Sequence, residues 1–223
     1  MKMLKVYFAG ELFDHKHIAG NYILAKRIEA ISNGLFQCAL PQNWEDSLSA
    51  MVDIRNSDIK ELMHADFALF NFDGTDLDSG TVVEFIMAKM LDIPAVMLRT
   101  DSRDGGHLAG DDWNVMLTGY PRCAVVKHSA LVMYNTLGLE EMQQAIAMSV
   151  VGAFQNLKKQ ESVMSSYEEI WNAYQHVIKM CGGELEKIVP PQLLREMIVA
   201  KIRNGIYSRV AAAASISSEG GAA

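Results

Sequence analysis

The feature that most limits the fold is a series of short apolar, β-rich runs with helical or polar stretches between them: MLKVYFAG, LFQCALP, DFALFNFD, IPAVMLRT and RCAVVKH. Each is nearly continuous in apolar residues and is bounded by Gly, Pro, Asp or other turn formers, as expected of strands buried on both faces. HIAGNYILAKRIEAIS, between the first two, places Ile18, Tyr22, Ala25 and Ile28 at helical spacing, with Lys26, Arg27 and Glu29 largely opposite, and Asn33-Gly34 ends it. SLSAMVDIRNSDIKELMHA and LDSGTVVEFIMAK also read as helices. Strands that alternate with helices over short connections form a parallel sheet covered on both sides through right-handed crossovers. The expected fold is α/β, a flavodoxin-like (Rossmann-like) parallel five-stranded sheet with helices on both faces. Ligands of such sheets bind beyond the C-terminal strand ends. That directs attention to Gly10–Asp14, Pro41–Trp44 and Asp73–Gly80.

DSRDGGHLAGDDWN is polar and glycine-rich, a loop. From Gly138 onward the chain reads as helical through LEEMQQAIAMSVVGAFQNLKKQ, SYEEIWNAYQHVIKMC and PPQLLREMIVAKIRNGIYSRV. The expected organisation is an α/β domain over residues 1–137, a helical C-terminal extension packed on it over 138–210, and a low-complexity, disordered tail over 211–223. With 223 residues, half of them hydrophobic, the chain can bury one sizeable core. A formal charge of −7 without a basic block argues against nucleic acid as a partner. Cys38, Cys123 and Cys181 are far apart and show no metal spacing, which suits free thiols in a reducing cytoplasm. No window reaches the length of a membrane span, and the first apolar run is too short for a secretory signal. A soluble, cytoplasmic protein is expected.

The polar residues at the strand ends are mostly carboxylates: Glu11, Asp14, Asp73, Asp76, Asp78 and Glu84. Glu84 is set among Val82, Val83, Phe85, Ile86, Met87 and Ala88. Burying such a charge is costly unless it is paired, so Glu84 has either a structural partner or a chemical task. Two carboxylates at one pocket can divide the work of cleaving a bond at a sugar carbon, one as nucleophile and one as proton donor. DGTDLD has alternating acids but not the EF-hand pattern. The chain has no GxxxxGK[ST] loop, no GxGxxG after the first strand and no GxSxG elbow, so nucleoside triphosphates, dinucleotides and serine hydrolysis are poor readings. No metal and no cofactor are expected. His15, His17 and His64 read as surface or loop residues.

Three stretches together resemble the nucleoside 2-deoxyribosyltransferase family: KVYFAGELF, NSDIKELMHADFALFNFDG and DLDSGTVVEFIMAKMLDIPAV, covering roughly residues 3 to 120. The resemblance implies transfer of 2-deoxyribose between nucleobases by a ping-pong route in nucleoside salvage. Glu84 would be the nucleophile that forms a covalent deoxyribosyl ester, Tyr7 would orient it, and Asp58 would handle the proton of the base. Asp78 would hold the sugar hydroxyls, with Gly10 and Ser79 beside it, and Phe13 and Gln42 would contact the base. Asn114, with Met116, would be lent to a neighbouring subunit's site in a homo-oligomer. Deoxynucleosides and free nucleobases are the implied partners. The same scaffold carries hydrolases, in which water replaces the acceptor base, and a non-catalytic nucleoside sensor is a further alternative. Glu11 departs from the small or apolar residue of many relatives and is a candidate for altered base choice.

Each residue also has a plain structural reading. Asp78 is a favoured helix cap, and Asp58 opens the capping-box-like DIKE. Tyr7 suits a core strand, Phe13, Trp44 and Met116 suit packing, and Gln42 suits a turn after Pro41.

Overall fold

The computed structural model describes residues 2–44, 50–103 and 114–211. Strands β1 (Leu4–Ala9), β2 (Phe36–Ala39), β3 (Phe67–Asn71), β4 (Ala95–Arg99) and β5 (Cys123–Lys127) form one sheet in the order β2-β1-β3-β4-β5. Every pairing is parallel. Helices α1 (His15–Ile31), α2 (Met51–His64) and α3 (Ser79–Met90) lie between successive strands. After the sheet come α4 (Ala130–Leu137), α5 (Leu139–Leu157), α6 (Tyr167–Cys181), α7 (Gly183–Ile188) and α8 (Pro191–Arg203). The α/β architecture is the expected one. Helix begins at Ala130 rather than near Gly138, because Ser129 caps α4 and Gly138, at φ 88°, joins α4 to α5. Most of the glycine-rich loop, residues 104–113, and the tail from 212 lie outside the described residues.

Side chains alternate across a strand, so each strand supplies both layers of the core. Val6, Phe8, Phe67, Leu69, Val96 and Leu98 belong to the layer filled by α1 and α5. Tyr7, Ala9, Ala68, Phe70 and Met97 belong to the opposite layer, filled by α2, α3, α6 and α8. Tyr7 therefore points into the layer that carries α3. The helices after the sheet close both apolar faces. Phe154 of α5 sits 5.0 Å from Phe36 and 5.5 Å from Phe67 between ring centroids, and Tyr174 and Leu194 are fully buried on the other side.

Of the stripe that spacing suggests, Ala25 and Ile28 are buried and are joined by Asn21, whereas Ile18 and Tyr22 are not buried. Ile18 and Tyr22 are 42% and 51% exposed. The helix packs on the sheet and along α5 together, which turns its core side toward Asn21. His64, read from sequence as a surface or loop residue, ends α2 and is partly buried. Burial, with Lys5 nearby, drives its pKa down to about 4.

Buried polar groups anchor the C-terminal segment. Arg122 pairs with Asp92 at 2.9 Å and donates to the Asp92 and Ile206 carbonyls, each at 2.7 Å. The other demands on Asp92 Oδ2 come from the Val163 and Met164 amides. Lys201 is 1% exposed, and its Nζ has no hydrogen-bond partner among the described residues, although it lies 5.4 Å from the Tyr174 ring centroid. Burial lowers its pKa from 10.5 to about 7, against the opposing pull of Asp66. The folded protein thus releases this proton near pH 7, while the unfolded chain holds it to about pH 10.5, so stability rises with pH across that window. Below pH 7 the amine is charged in both states and the full burial cost is present. Lys201→Met is expected to stabilise the fold by on the order of 2–4 kcal/mol at pH 6, with the gain shrinking toward pH 10.5. Urea unfolding of both proteins across pH 6–10 checks this.

Candidate active site

The site is built where the winding of the sheet reverses, at the C-terminal ends of β1 and β3. β1 runs into Gly10, where an added Cβ would lie 3.1 Å from Asn71 Cβ and 3.2 Å from its carbonyl oxygen. Only glycine lets the two strand ends approach this closely. After β3 the chain turns at Asp73, whose carboxylate accepts from the Asp101 amide at 2.9 Å and the Thr100 hydroxyl at 2.7 Å, and also from the Thr100 amide. The buried Arg99 donates to the Phe72 and Gly74 carbonyls at 2.6 and 3.2 Å. These bonds hold the segment that leads into α3.

Asp78 is the N-cap of α3. Its Oδ2 accepts from the Thr81 amide at 2.7 Å and the Thr81 hydroxyl at 2.6 Å. Thr81, Phe85 and Ala88 form the buried edge of the helix. Glu84 shares that edge with Thr81 and Ala88 and is half-buried. Its Oε1 accepts a 2.6 Å hydrogen bond from the hydroxyl of the fully buried Tyr7. This bond is possible because the parity of β1 aims Tyr7 at the α3 layer. Trp44 stands behind it, 6.3 Å from the Tyr7 ring centroid, and donates its indole N–H to Asp58 Oδ1 at 2.9 Å. Asp58 lies inside α2 rather than at its start, so DIKE is not a capping box here.

Two clefts meet at Glu84. One, of about 420 Å³, runs between α2 and α3, past Ile54, Asp58 and Val83. The other, of about 300 Å³, opens over the first loop, past Gly10, Phe13 and Asp78. Asp58, Ser79, Gly80 and Glu84 line both. Of the residues expected at the site, the structure therefore brings together Glu84, Tyr7, Asp58, Asp78, Ser79, Gly10 and Phe13. Phe13 is 78% exposed and stands at the rim.

Three expected residues are not brought there. Gln42 turns away and donates to the Ile18 carbonyl at 3.1 Å, because the turn after Pro41 lies against α1. Asn114 caps the following short turn by accepting from the Met116 amide, and Met116 is 73% exposed; neither lines the clefts at Glu84 in this chain. Glu11 also leaves the clefts and pairs with His17 at 3.3 Å. Sequence reasoning missed the Trp44 bond to Asp58 and the cleft wall made by Met51, Ile54 and Met87. Only the position of Trp44 after strand two hinted at it. Among the described residues no cluster of three or more His, Cys, Asp and Glu side chains could hold a metal ion, and no helix is long and apolar enough to cross a membrane.

The model of the family described as nucleoside 2-deoxyribosyltransferase matches residues 6–120. The chain belongs to this family. The matched stretch of this deoxyribosyltransferase-family chain contains every residue that lines the two clefts. Among solved structures the chain is similar to a conserved protein from Enterococcus faecalis V583, at 24% identity over 65% of this chain and 99% of that one, with a TM-score of 0.49. It is also similar to the 2-deoxyribosyltransferase of the psychrotolerant bacterium Bacillus psychrosaccharolyticus, at 16% identity over 52% and 91%, TM-score 0.38. The 2-desoxiribosyltransferase of Leishmania mexicana is 21% identical over 52% and 86%, TM-score 0.41. A comparison with curated proteins found no match.

The cap geometry has a direct consequence. Asp78→Ala is expected to lower stability by about 1 kcal/mol, and Asp78→Asn, itself a good cap, by much less. Urea unfolding of the two variants measures the difference.

Proposed function

We propose that this protein transfers 2-deoxyribose between nucleobases through a covalent ester on Glu84. The observation that carries the reading is the 2.6 Å bond from the Tyr7 hydroxyl to Glu84, at the junction of two clefts that also hold Asp58 and Asp78. A carboxylate half withdrawn from bulk water and held by a tyrosine hydroxyl is restrained in the orientation that it presents to a reacting carbon.

In this reading Glu84 attacks the anomeric carbon of a 2′-deoxyribonucleoside. The glycosidic C–N bond breaks, its electron pair leaves with the base, and Asp58 supplies the proton that the departing nitrogen needs. A second base then attacks the same carbon, the ester bond breaks back to the Glu84 carboxylate, and the acceptor's proton returns to Asp58. Two inversions at one carbon give net retention. Asp78 accepts hydrogen bonds from the sugar hydroxyls while its Oδ2 keeps capping α3, so sugar binding and helix position are linked. Phe13, at the rim, covers the base. Trp44 holds Asp58 in place through the indole bond. The lack of a 2′-hydroxyl leaves room for the close approach of Glu84, so deoxyinosine should turn over and inosine should not. Asn114 and Met116, away from the clefts of their own chain, are assigned to the site of a neighbouring copy in a homo-oligomer.

Intact-mass spectrometry after mixing with deoxyinosine is expected to show a deoxyribosyl adduct on the peptide that contains Glu84, and none on Glu84→Gln. Adding adenine should produce deoxyadenosine. Free deoxyribose as the sole sugar product would instead assign a hydrolase. Tyr7→Phe, which removes one hydrogen bond to the nucleophile, is expected to lower kcat about tenfold with a small change in KM. Steady-state kinetics on both proteins separates the two constants.

A further inference from the structure

A third cavity, of about 200 Å³, lies on the other face of the sheet, between α1 and α5 over the C-terminal ends of β3 and β4. It takes no part in the chemistry above. Its α5 wall, Met142 and Ile146, lies beyond the stretch that matches the family. Leu24 and Leu98 continue the apolar lining. The polar lining is rich in amides. Asn21 is 5% exposed and donates to the Glu11 carbonyl, and Asn71 accepts from the Asp73 amide, each through one end of its side chain. The other ends of both amides, and all of the half-buried Gln143 amide, have no hydrogen bond among the described residues.

Two features indicate what such a space would hold. A cavity of ~150 Å³ accommodates a benzene ring, so this one is suited to a single or fused ring with a few polar atoms. The charged side chains of the lining, Lys16 and Asp73, balance in sign and favour neither an anion nor a cation. The His17 ring is already flanked by Glu11 at 3.3 Å and Asp14 at 3.2 Å, and the Asp73 carboxylate belongs to the lining. Gly20 adds an independent observation. Glycine is a poor residue for the interior of α1, yet a Cβ there would meet nothing within 4 Å, and the residue lines the cavity. Gly20 is itself exposed, so a side chain there would project from the rim over the cavity.

We propose that this cavity is a second binding site, for a flat, uncharged nitrogen heterocycle of nucleobase size that carries amide-type donor and acceptor edges. It shares a wall with the site at Glu84. Asn71 lines the cavity on one side, and on the other it backs directly onto Gly10, which lines the cleft at Glu84. Asp73 and Thr100, also in the lining, are the clasp that holds the approach to α3. A ring bound here therefore bears on the backbone that places Asp78 and Glu84. Occupancy of the cavity is independent of the transfer chemistry; its effect on turnover rests on that reading.

Methionine methyl NMR tests the proposal, because Met142 lines this cavity and Met87 the cleft at Glu84. Titration of the protein with adenine, and separately with uracil, is expected to shift the Met142 methyl saturably, on a binding curve distinct from that of Met87. Gly20→Leu, a better helix former whose side chain projects over the cavity from its rim, should abolish the Met142 response and leave that of Met87. Gly20→Phe should do the same, and a thermal melt confirms that each variant is folded. An unmoved Met142 with both bases, a Met142 response that survives both variants, or a single curve shared with Met87 would overturn the second site. Loss of transfer activity alone would count against the Glu84 mechanism and leave this result standing.

Discussion

The hydrogen bond between Tyr7 and Glu84 depends on β1 being in register with the central strand β3. A slip of one residue along β1 would send Tyr7 into the α1–α5 layer and bring Val6 or Phe8 beneath α3. Nothing in the sequence around Tyr7 states which layer will receive it. The choice is enforced by the pairs Val6 with Phe67 and Tyr7 with Ala68, which place Ala68 beside Tyr7 and leave space above for the ring. The apolar packing that makes the fold thus also aims the Tyr7 hydroxyl at Glu84 on α3.

The site is stiff for reasons that lie outside it. Arg99 and the Asp73 clasp bind the segment after β3 to the end of β4, and Asp78 ties that segment to the first turn of α3. Each of these groups is polar and partly or wholly buried, so leaving any of them unpaired would be costly. Side chains held on such supports lose little freedom when a ligand arrives. The C-terminal helices contribute from further away. Through Asp92, Arg122 and the buried Tyr174 and Tyr207 they close the layer on which α2 and α3 rest.

The strand and helix pattern was legible because burial on both faces makes parallel strands uniformly apolar and helices periodic. Glu84 and Asp78 were legible because a carboxylate in an apolar helix, and an aspartate at its start, break that pattern locally. Asp58 was legible only through the family resemblance, since its local setting suggested a cap that α2 does not use. Gln42 bonds away from the clefts because a turn residue can bond to whatever backbone lies nearest, and here that is Ile18. The stripe of α1 held at Ala25 and Ile28 and failed at Ile18 and Tyr22, because α5, distant in sequence, packs on the helix's flank.

Taken alone, then, the order of residues determined the class of fold, the sites where strands end and the identity of the acid set into α3. Those are consequences of local hydrophobic period and turn chemistry, which act over a few residues. Tertiary structure alone decided that Tyr7 meets Glu84, that Trp44 holds Asp58, that Gln42 turns aside, and that a second cavity backs onto the first across Gly10 and Asn71. Each of these joins elements far apart in the chain. Such pairings follow from sheet register and layer packing, which no short stretch of sequence encodes.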